Sequence, residues 1–544
     1  MNFPTYLQQN GPEDVESPLF IDADNPERSL SWRQYASTVK QIAVGLRDIG
    51  VEQSDTVAIV SRNDIFYYIL GNGINAAGGV FSPVSAFAKP IEMEHQLRVT
   101  YAKWVFVEPE FLDEVVAAAE KVGTPKSNIL VFDMQDQTRR EGYQTFSQIL
   151  QADESKYTPL DFDSKQPCDR YLTSGSTGLP KAAEMSHGAM ISRVRPYLAL
   201  PNPKPLSSVR NLHFIDMHHI SGWFNNTFTA IGKHTYYVLR RTDALSIVDT
   251  ITRHRITHIM MHPRMVEEVV VLLQQGVRER SAISSLELVR VAGSVVRGDF
   301  LDLLERFMAP SGKANISYGA TEMSTIAATL WGTPRLPGCV GKPPVGVELL
   351  IVDPDTLEEL PHDVDGEICC RSPGMFTGYV NNEEATKKAL VQISSKTWLR
   401  TGDRGHWSSS LQQLAITGRY KETFKVGTEE VAPEEVEVEL LKQPGISDVA
   451  LTSTDARPGK GGLEPLAYIV APDKSISAQQ IVDHIADCVA AYKAPTGGVV
   501  FCESIPRTSF GKIQRAKLNG LMEKVSWEER SARFLTPTTD MSHL

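Results

Sequence analysis

The chain has 544 residues, more than one hydrophobic core organises, so two or more domains are expected. Its 55 Lys and Arg against 66 Asp and Glu leave a net charge of −11, which argues against nucleic acid or an anionic membrane as the main partner and makes any phosphate site a local feature. Six cysteines, Cys168, Cys339, Cys369, Cys370, Cys488 and Cys502, form no C-x-x-C pair and are too sparse for a disulfide scaffold, so a reducing intracellular compartment without structural zinc is expected.

The N-terminal stretch MNFPTYLQQNGPEDVESP has neither the basic nor the apolar region of a secretory signal. No apolar run reaches the roughly 18 to 20 residues of a membrane span. The richest stretch, residues 71–88, is broken by four glycines, two asparagines and a proline and reads as packed soluble structure, with no integral membrane association. Short β-branched runs follow one another along the chain: TVAIV (56–60), WVFVE (104–108), NILVFD (128–133), THIMMH (257–262) and ELVRVAG (287–293). Between them, SWRQYASTVKQIAVGLRDIG and PRMVEEVVVLLQQG carry apolar residues at helical spacing and stop at Gly. Strand and helix alternate, so the fold class is α/β. From Gly338 the texture turns to short strands between Gly, Pro and Asp turns, which predicts a β-rich subdomain. Beyond Gly418-Arg419-Tyr420-Lys421 the pattern is α+β, with a helix in PEEVEVELLKQ, strands in DVALTST and PLAYIVAPD, and a helix in AQQIVDHIADCVAAY. The expected division is a large domain over 1–419 and a small one over 420–544.

The stretch TSGSTGLPK (173–181) combines glycines, hydroxyls and one cation, a composition suited to a polyphosphate. It is not a Walker loop: counting from Gly175, Pro180 stands where the second Gly belongs and Ala182 where Ser or Thr belongs. Alone, the run also reads as a polar surface loop.

Seven segments in series resemble the AMP-forming acyl- and aryl-CoA synthetases, the adenylating superfamily that includes firefly luciferase and nonribosomal-peptide adenylation domains. They are TSGSTGLPK, MHHISG (217–222), SYGATE (317–322), GYVNNEEAT (378–386), WLRTGD (398–403), ITGRYKETFKVG (416–427) and PRTSFGKIQR (506–515). The resemblance spans nearly the whole chain and implies ATP, Mg²⁺ and coenzyme A as reactants beside a small carboxylic acid. A carboxylate attacks the α-phosphorus of ATP, pyrophosphate leaves, and the acyl-AMP passes to a thiol; such chemistry needs donors and cations around crowded anions.

The resemblance assigns Thr173, Ser174, Gly175, Ser176, Thr177, Gly178 and Lys181 to the pyrophosphate, Glu322 to Mg²⁺ and Thr321 to the α-phosphate. Tyr318 and Gly319 would lie along adenine, and Asp403 would receive both ribose hydroxyls, a role that Asn fills less well because one end of its amide donates. Arg419 would touch ribose or phosphate, Lys421 would be the hinge, and Lys512, flanked by Gly511 and Ser509 on a flexible loop, would bridge the acid and the α-phosphate. Taken alone, SYGATE is equally a strand-to-helix turn capped by Thr321, TGD a turn and Arg419 a surface cation.

His219 matches the histidine between acid pocket and thiol tunnel; His218 reads as structural, and a metal pair fails because neighbours on a strand face opposite ways. Pocket walls fall to Ile220, Ser221, Gly222, Trp223, Ala292, Gly293, Ser294 and Ala320, with Gly319 beside them. So many small residues suggest room for an aryl or medium-chain acid. Two departures stand out: Ala182-Ala183-Glu184 replaces the usual Gly-Val after the phosphate loop, and Val426-Gly427 replaces a Gly-Gly or Lys-Gly in the loop that faces the thiol. The second weakens the case for CoA, although Lys425 remains for its phosphates. An amine or a separate carrier protein is the alternative acceptor. The terminal Ser542-His543-Leu544 varies the S-K-L peroxisomal address and suggests recognition by the peroxisomal import receptor, with the cytoplasm as the other location.

Overall fold

In a computed structural model, residues 1–518 are described except 89, 136–141, 162, 174–179, 199–207, 224–233, 294–297, 330–332, 427–428, 456–462, 473–475, 509–510 and 516. Two eight-stranded sheets make up most of the chain. One is centred on parallel strands Thr56–Val60, Val80–Val84 and Ala102–Val107, the other on parallel strands Arg210–His213, His258–Met261, Leu288–Ala292 and Lys313–Ala320. The first three runs are buried almost throughout, as parallel strands covered on both faces must be.

Helices cover these sheets. Ser31 opens Trp32–Asp48 with a reciprocal capping box to Gln34, and the helix buries Tyr35, Val39, Ile42, Ala43 and Leu46, each worth about 1.5 to 3 kcal/mol for a large side chain. It meets helix Tyr67–Ala77 so closely that a Cβ on Gly73 would lie 2.3 Å from Ile42 Cγ2. Residues 71–84 therefore lie in a buried helix, its turn and a buried strand, as expected for packed structure, while Phe87 beyond them is exposed. Among the described residues, no helix is long and apolar enough to cross a membrane.

A six-stranded antiparallel sheet, including Gly366–Arg371, Lys396–Ser408 and Gln413–Arg419, forms the β-rich portion expected after Gly338. The chain beyond it has a core of its own, in which Val431, Val436 and Leu440 pack with Val449, Leu451, Ile469, Ile481 and Ile485. Its helices are Pro433–Leu441 and Ala478–Cys488, the second ending short of the predicted Tyr492.

The strand-to-helix expectation for SYGATE does not hold. Strand Lys313–Ala320 turns at 321–323 and returns as strand Ser324–Ala328, because the two pair antiparallel. A Cβ on Gly319 would meet the Ser324 carbonyl at 2.3 Å, so the close approach at this bulge excludes any larger residue. TGD likewise lies inside the long strand Lys396–Ser408 rather than in a turn.

Candidate active site

Several of the sequence motifs follow the carboxyl ends of parallel strands, the position at which α/β sheets bind ligands. Strand Arg210–His213 leads to MHHISG, Leu288–Ala292 to Gly293, and Lys313–Ala320 to Thr321 and Glu322; Ala292 and Ser317 are register partners across neighbouring strands.

Asp403 and Arg419 are register partners on antiparallel strands, and the Arg419 Nε lies 2.7 Å from Asp403 Oδ1. The Tyr318 hydroxyl donates to Asp403 Oδ2 at 2.5 Å. Burial, and then the Asp403 charge that it touches, hold the Tyr318 phenol protonated well beyond its ordinary range. Three residues assigned separately to adenine, ribose and phosphate thus form one connected group around a carboxylate only 5% exposed. Arg419 is not a free surface cation: Asp403 and Glu422 outweigh the effect of its burial and keep its pKa raised.

Lys512, on the C-terminal segment, feels the charges of this group. Burial and Arg419 depress its pKa, while Glu422, Asp403 and Glu434 oppose the shift, which puts all four charges within electrostatic reach of the ammonium. The expectation of a loosely held loop needs correction for the residues described. Gly511 N–H donates to the Thr508 carbonyl at 2.9 Å, Thr508 N–H to the Lys512 carbonyl at 2.8 Å, and Arg507 Nη1 to the Gly511 carbonyl at 2.5 Å. Lys421 is exposed at the turn after strand Gln413–Arg419.

Thr173 and Lys181 end and begin two antiparallel strands and face each other in register, so the ladder pins both ends of the intervening loop. Ser174, Gly175, Ser176, Thr177 and Gly178 lie outside the described residues, as do Ser294, Gly427 and the terminal Ser542, His543 and Leu544. The Lys181 ammonium lies 5.1 Å from the Tyr379 ring centroid, and the Tyr379 hydroxyl donates to Glu322 Oε1 at 2.6 Å. Glu184, at the first departure from the family pattern, pairs with Arg170 at 2.8 Å.

His218 and His219 sit in a turn that leads into a helix at Ile220, not on a strand, so the opposite-face argument against a metal pair does not apply. The His219 Nδ1 accepts from the Ser221 N–H at 3.2 Å and lies 2.9 Å from Ser221 Oγ. Burial, with His218 adding to it, depresses the His219 pKa to about 3, so the imidazole is neutral at physiological pH. The space beside Gly222 is already filled: a Cβ there would lie 2.6 Å from the Tyr68 hydroxyl and 3.2 Å from His213 Cε1. Trp223 is buried against Phe3, with ring centroids 5.4 Å apart. Gly222 and Gly319 are therefore small because of packing, and their size says nothing about acid volume.

The AMP-binding enzyme profile matches residues 7–380, and the AMP-binding enzyme C-terminal domain profile matches 435–512. The chain belongs to the AMP-binding enzyme family. It is 32% identical to a phenylacetyl-CoA ligase of Aspergillus niger, over 93% of this chain and 94% of that one. It is 28% identical to a nicotinic acid-CoA ligase of Aspergillus fumigatus, over 94% of each. Among solved structures, ATP-bound MatB from Rhodopseudomonas palustris superposes with a TM-score of 0.85 at 22% identity, over 96% of this chain and 99% of that one. The amide bond synthetase McbA from Marinactinospora thermotolerans does so with 0.81 at 22%, over 96% and 99%. These two likenesses establish the fold.

In this AMP-binding enzyme several residues that motif reading overlooks shape the site. Buried Asn63 accepts from the Met217 N–H at 2.9 Å, and its Nδ2 lies 3.1 Å from the Phe214 and Ile215 carbonyls, fixing the segment that leads to His219. Buried Arg193 donates to the Thr321 carbonyl at 3.0 Å and the Gly374 carbonyl at 2.8 Å. His95 Nε2 lies 2.8 Å from the Pro180 carbonyl, at the end of the phosphate loop. Only Tyr379 carried a signal, inside GYVNNEEAT; the others meet their partners more than 80 residues away in sequence.

Proposed function

We infer that this AMP-binding enzyme is an acid:CoA ligase that converts a carboxylic acid and ATP to acyl-AMP with release of pyrophosphate, then transfers the acyl group to CoA. The observation that carries the reading is the connected Tyr318–Asp403–Arg419 group, built from three of the motifs, with the charge of Lys512 from the C-terminal segment within electrostatic range of Asp403 and Arg419. Asp403 binds the ribose, Tyr318 lies along adenine, Lys181 and the loop before it hold the leaving phosphates, and Lys512 stabilises charge on the α-phosphoryl oxygens. Glu322 suits Mg²⁺: its Oε1 accepts from the hydroxyl of Tyr379, over whose ring the Lys181 ammonium lies, and this ion takes one or two carboxylates plus substrate phosphates. Bound there, Mg²⁺ would neutralise phosphate charge.

The acid is aryl or medium-chain; the relatives named for phenylacetyl-CoA and nicotinic acid-CoA support an aromatic acid. Neutral His219 lines the route of the thiol. The small domain begins at residue 420 and rotates about Lys421 between half-reactions, and Ser542-His543-Leu544 directs the chain to peroxisomes. CoA brings several phosphate charges to a protein of net charge −11, so exposed Lys425 on strand Phe424–Val426 is placed to attract them. The test is Lys425→Glu. It should raise the KM for CoA well above any change for ATP or acid, most at low salt. Unchanged CoA kinetics would remove Lys425 from the channel, and efficient acylation of an added amine without thioester would favour the amide-forming alternative.

A further inference from the structure

Arg515 lies three residues beyond Lys512 and pairs with three carboxylates. Its Nε lies 2.9 Å from Glu422, its Nη1 2.5 Å from Glu437 and its Nη2 3.5 Å from Glu434, and Nη1 also donates to the Leu451 carbonyl at 3.1 Å. The four side chains are at most 20% exposed. Glu422 follows the hinge residue Lys421, Glu434 and Glu437 lie on helix Pro433–Leu441, and Arg515 closes the segment that carries Lys512. One guanidinium therefore ties together hinge, helix and lysine loop, and Glu422 extends the tie to Arg419 at 3.9 Å.

We propose that Arg515 is the positioning residue for Lys512, held by Glu422, Glu434 and Glu437 in a latch that sustains the adenylating arrangement. The inference rests on the role of Lys512 given above.

Three carboxylates around one guanidinium leave surplus negative charge, and one proton relieves it. Glu434 is the group that keeps it. Burial pushes its pKa to about 8, with Glu437 and Glu422 adding to the shift and Arg515 opposing it. Glu434 Oε2 is buried without a hydrogen-bond partner, a poor place for an ionised oxygen. A Cβ on Gly418 would stand 3.4 Å from that oxygen, so strand Gln413–Arg419 closes one side. At Glu422 burial resists ionisation, but Arg515 and Arg419 outweigh it and hold the pKa low. The charged groups facing Glu434 are thus Arg515, Glu422 and Glu437, with Arg419 and Lys512 nearby, while Glu435 beside it pairs with Lys493 and Arg404.

The sign follows. A carboxyl whose pKa is raised in this arrangement favours it when protonated, so Glu434 supports the latch fully below the ordinary carboxyl range and loses that contribution as pH rises to about 8, where the latched carboxyl itself ionises. A third buried negative charge then repels Glu422 and Glu437.

The experiment compares Arg515→Gln, Arg515→Lys, Glu434→Gln and Lys512→Ala in the full-length enzyme from pH 6 to 9.5. Single-turnover pyrophosphate release reads adenylation, and thioester formation from supplied acyl-AMP reads the second step. Displacing Lys512 by about an ångström should slow adenylation roughly 10- to 100-fold in Arg515→Gln, with thioester formation within about twofold of the parent. Arg515→Lys should recover part of the loss. Glu434→Gln, which mimics the protonated acid, should match the parent most closely at pH 6 and lose less adenylation as pH rises through 8. Equal loss in both steps, no loss in either, or a Glu434→Gln profile that declines with the parent would overturn the proposal. If Arg515→Gln does not fold, Arg515→Lys and Glu434→Gln still decide it. Should Lys512→Ala itself spare adenylation, the reading of Lys512 fails; should it abolish adenylation while Arg515→Gln does not slow it, only the positioning inference fails.

Discussion

Asp403→Asn tests the nucleotide site most cleanly, because it removes one charge and almost no volume. In the parent the carboxylate accepts from Tyr318 at 2.5 Å and Arg419 at 2.7 Å while only 5% exposed. Both ribose hydroxyls would donate to it. Asparagine keeps one acceptor and turns the other end into a donor, so one charge-assisted hydrogen bond is lost, about 1.5 to 3 kcal/mol. At 1.4 kcal/mol per factor of ten, the apparent KM for ATP should rise about 10- to 150-fold. The Arg419 side chain is 34% exposed and has Glu422 3.9 Å away, so losing its partner should cost the fold little. The assay is pyrophosphate release against ATP at saturating acid, then against acid at saturating ATP, with a thermal melt of each protein. The acid KM should move less than about threefold. A folded Asp403→Asn enzyme whose ATP KM stays within twofold of the parent would refute the ribose assignment.

Three further outcomes are expected. Lys421→Pro fixes φ near −65° and removes an N–H at the proposed pivot, so adenylation should persist while thioester formation falls; wild-type CoA ligation would exclude Lys421 as the pivot. Glu322→Gln should raise the Mg²⁺ needed for half-maximal pyrophosphate release about tenfold or more, and an unchanged Mg²⁺ curve would separate Glu322 from the ion. Because its pKa is depressed to about 3, the His219 ring should give neutral-form nitrogen shifts in NMR down to pH 5, and a titration midpoint above pH 6 would contradict its burial.

Much of this was legible in the chain itself. The runs at 56–60 and 257–262 became strands because β-branched and apolar residues suit a sheet covered on both faces, and the helical spacing of apolar residues in SWRQYASTVKQIAVGLRDIG became helix Trp32–Asp48. Tyr318, Asp403 and Arg419, each quoted from a different motif, meet directly. Local composition misled where pairing across the sheet prevailed. TGD carries turn residues, yet it lies within a 13-residue strand because Asp403 must face Arg419. SYGATE leads to a second strand because Gly319 admits the Ser324 carbonyl. Which residues pair over long range was not legible. Arg515 and Glu437 stand 78 positions apart and Asn63 and Met217 154 apart, and an isolated Asn, Arg or Glu does not name its partner.

The central claim is acid activation followed by transfer to a thiol, and one measurement meets it directly. Purified enzyme with ATP and Mg²⁺ is given a panel of aromatic and medium-chain acids, with and without CoA, while pyrophosphate, AMP and thioester are quantified together. The account predicts acid-dependent pyrophosphate release, with AMP and thioester formed in equal amounts once CoA is present. Pyrophosphate release that never yields thioester with any acid, while an added amine is acylated at the same rate, would contradict it.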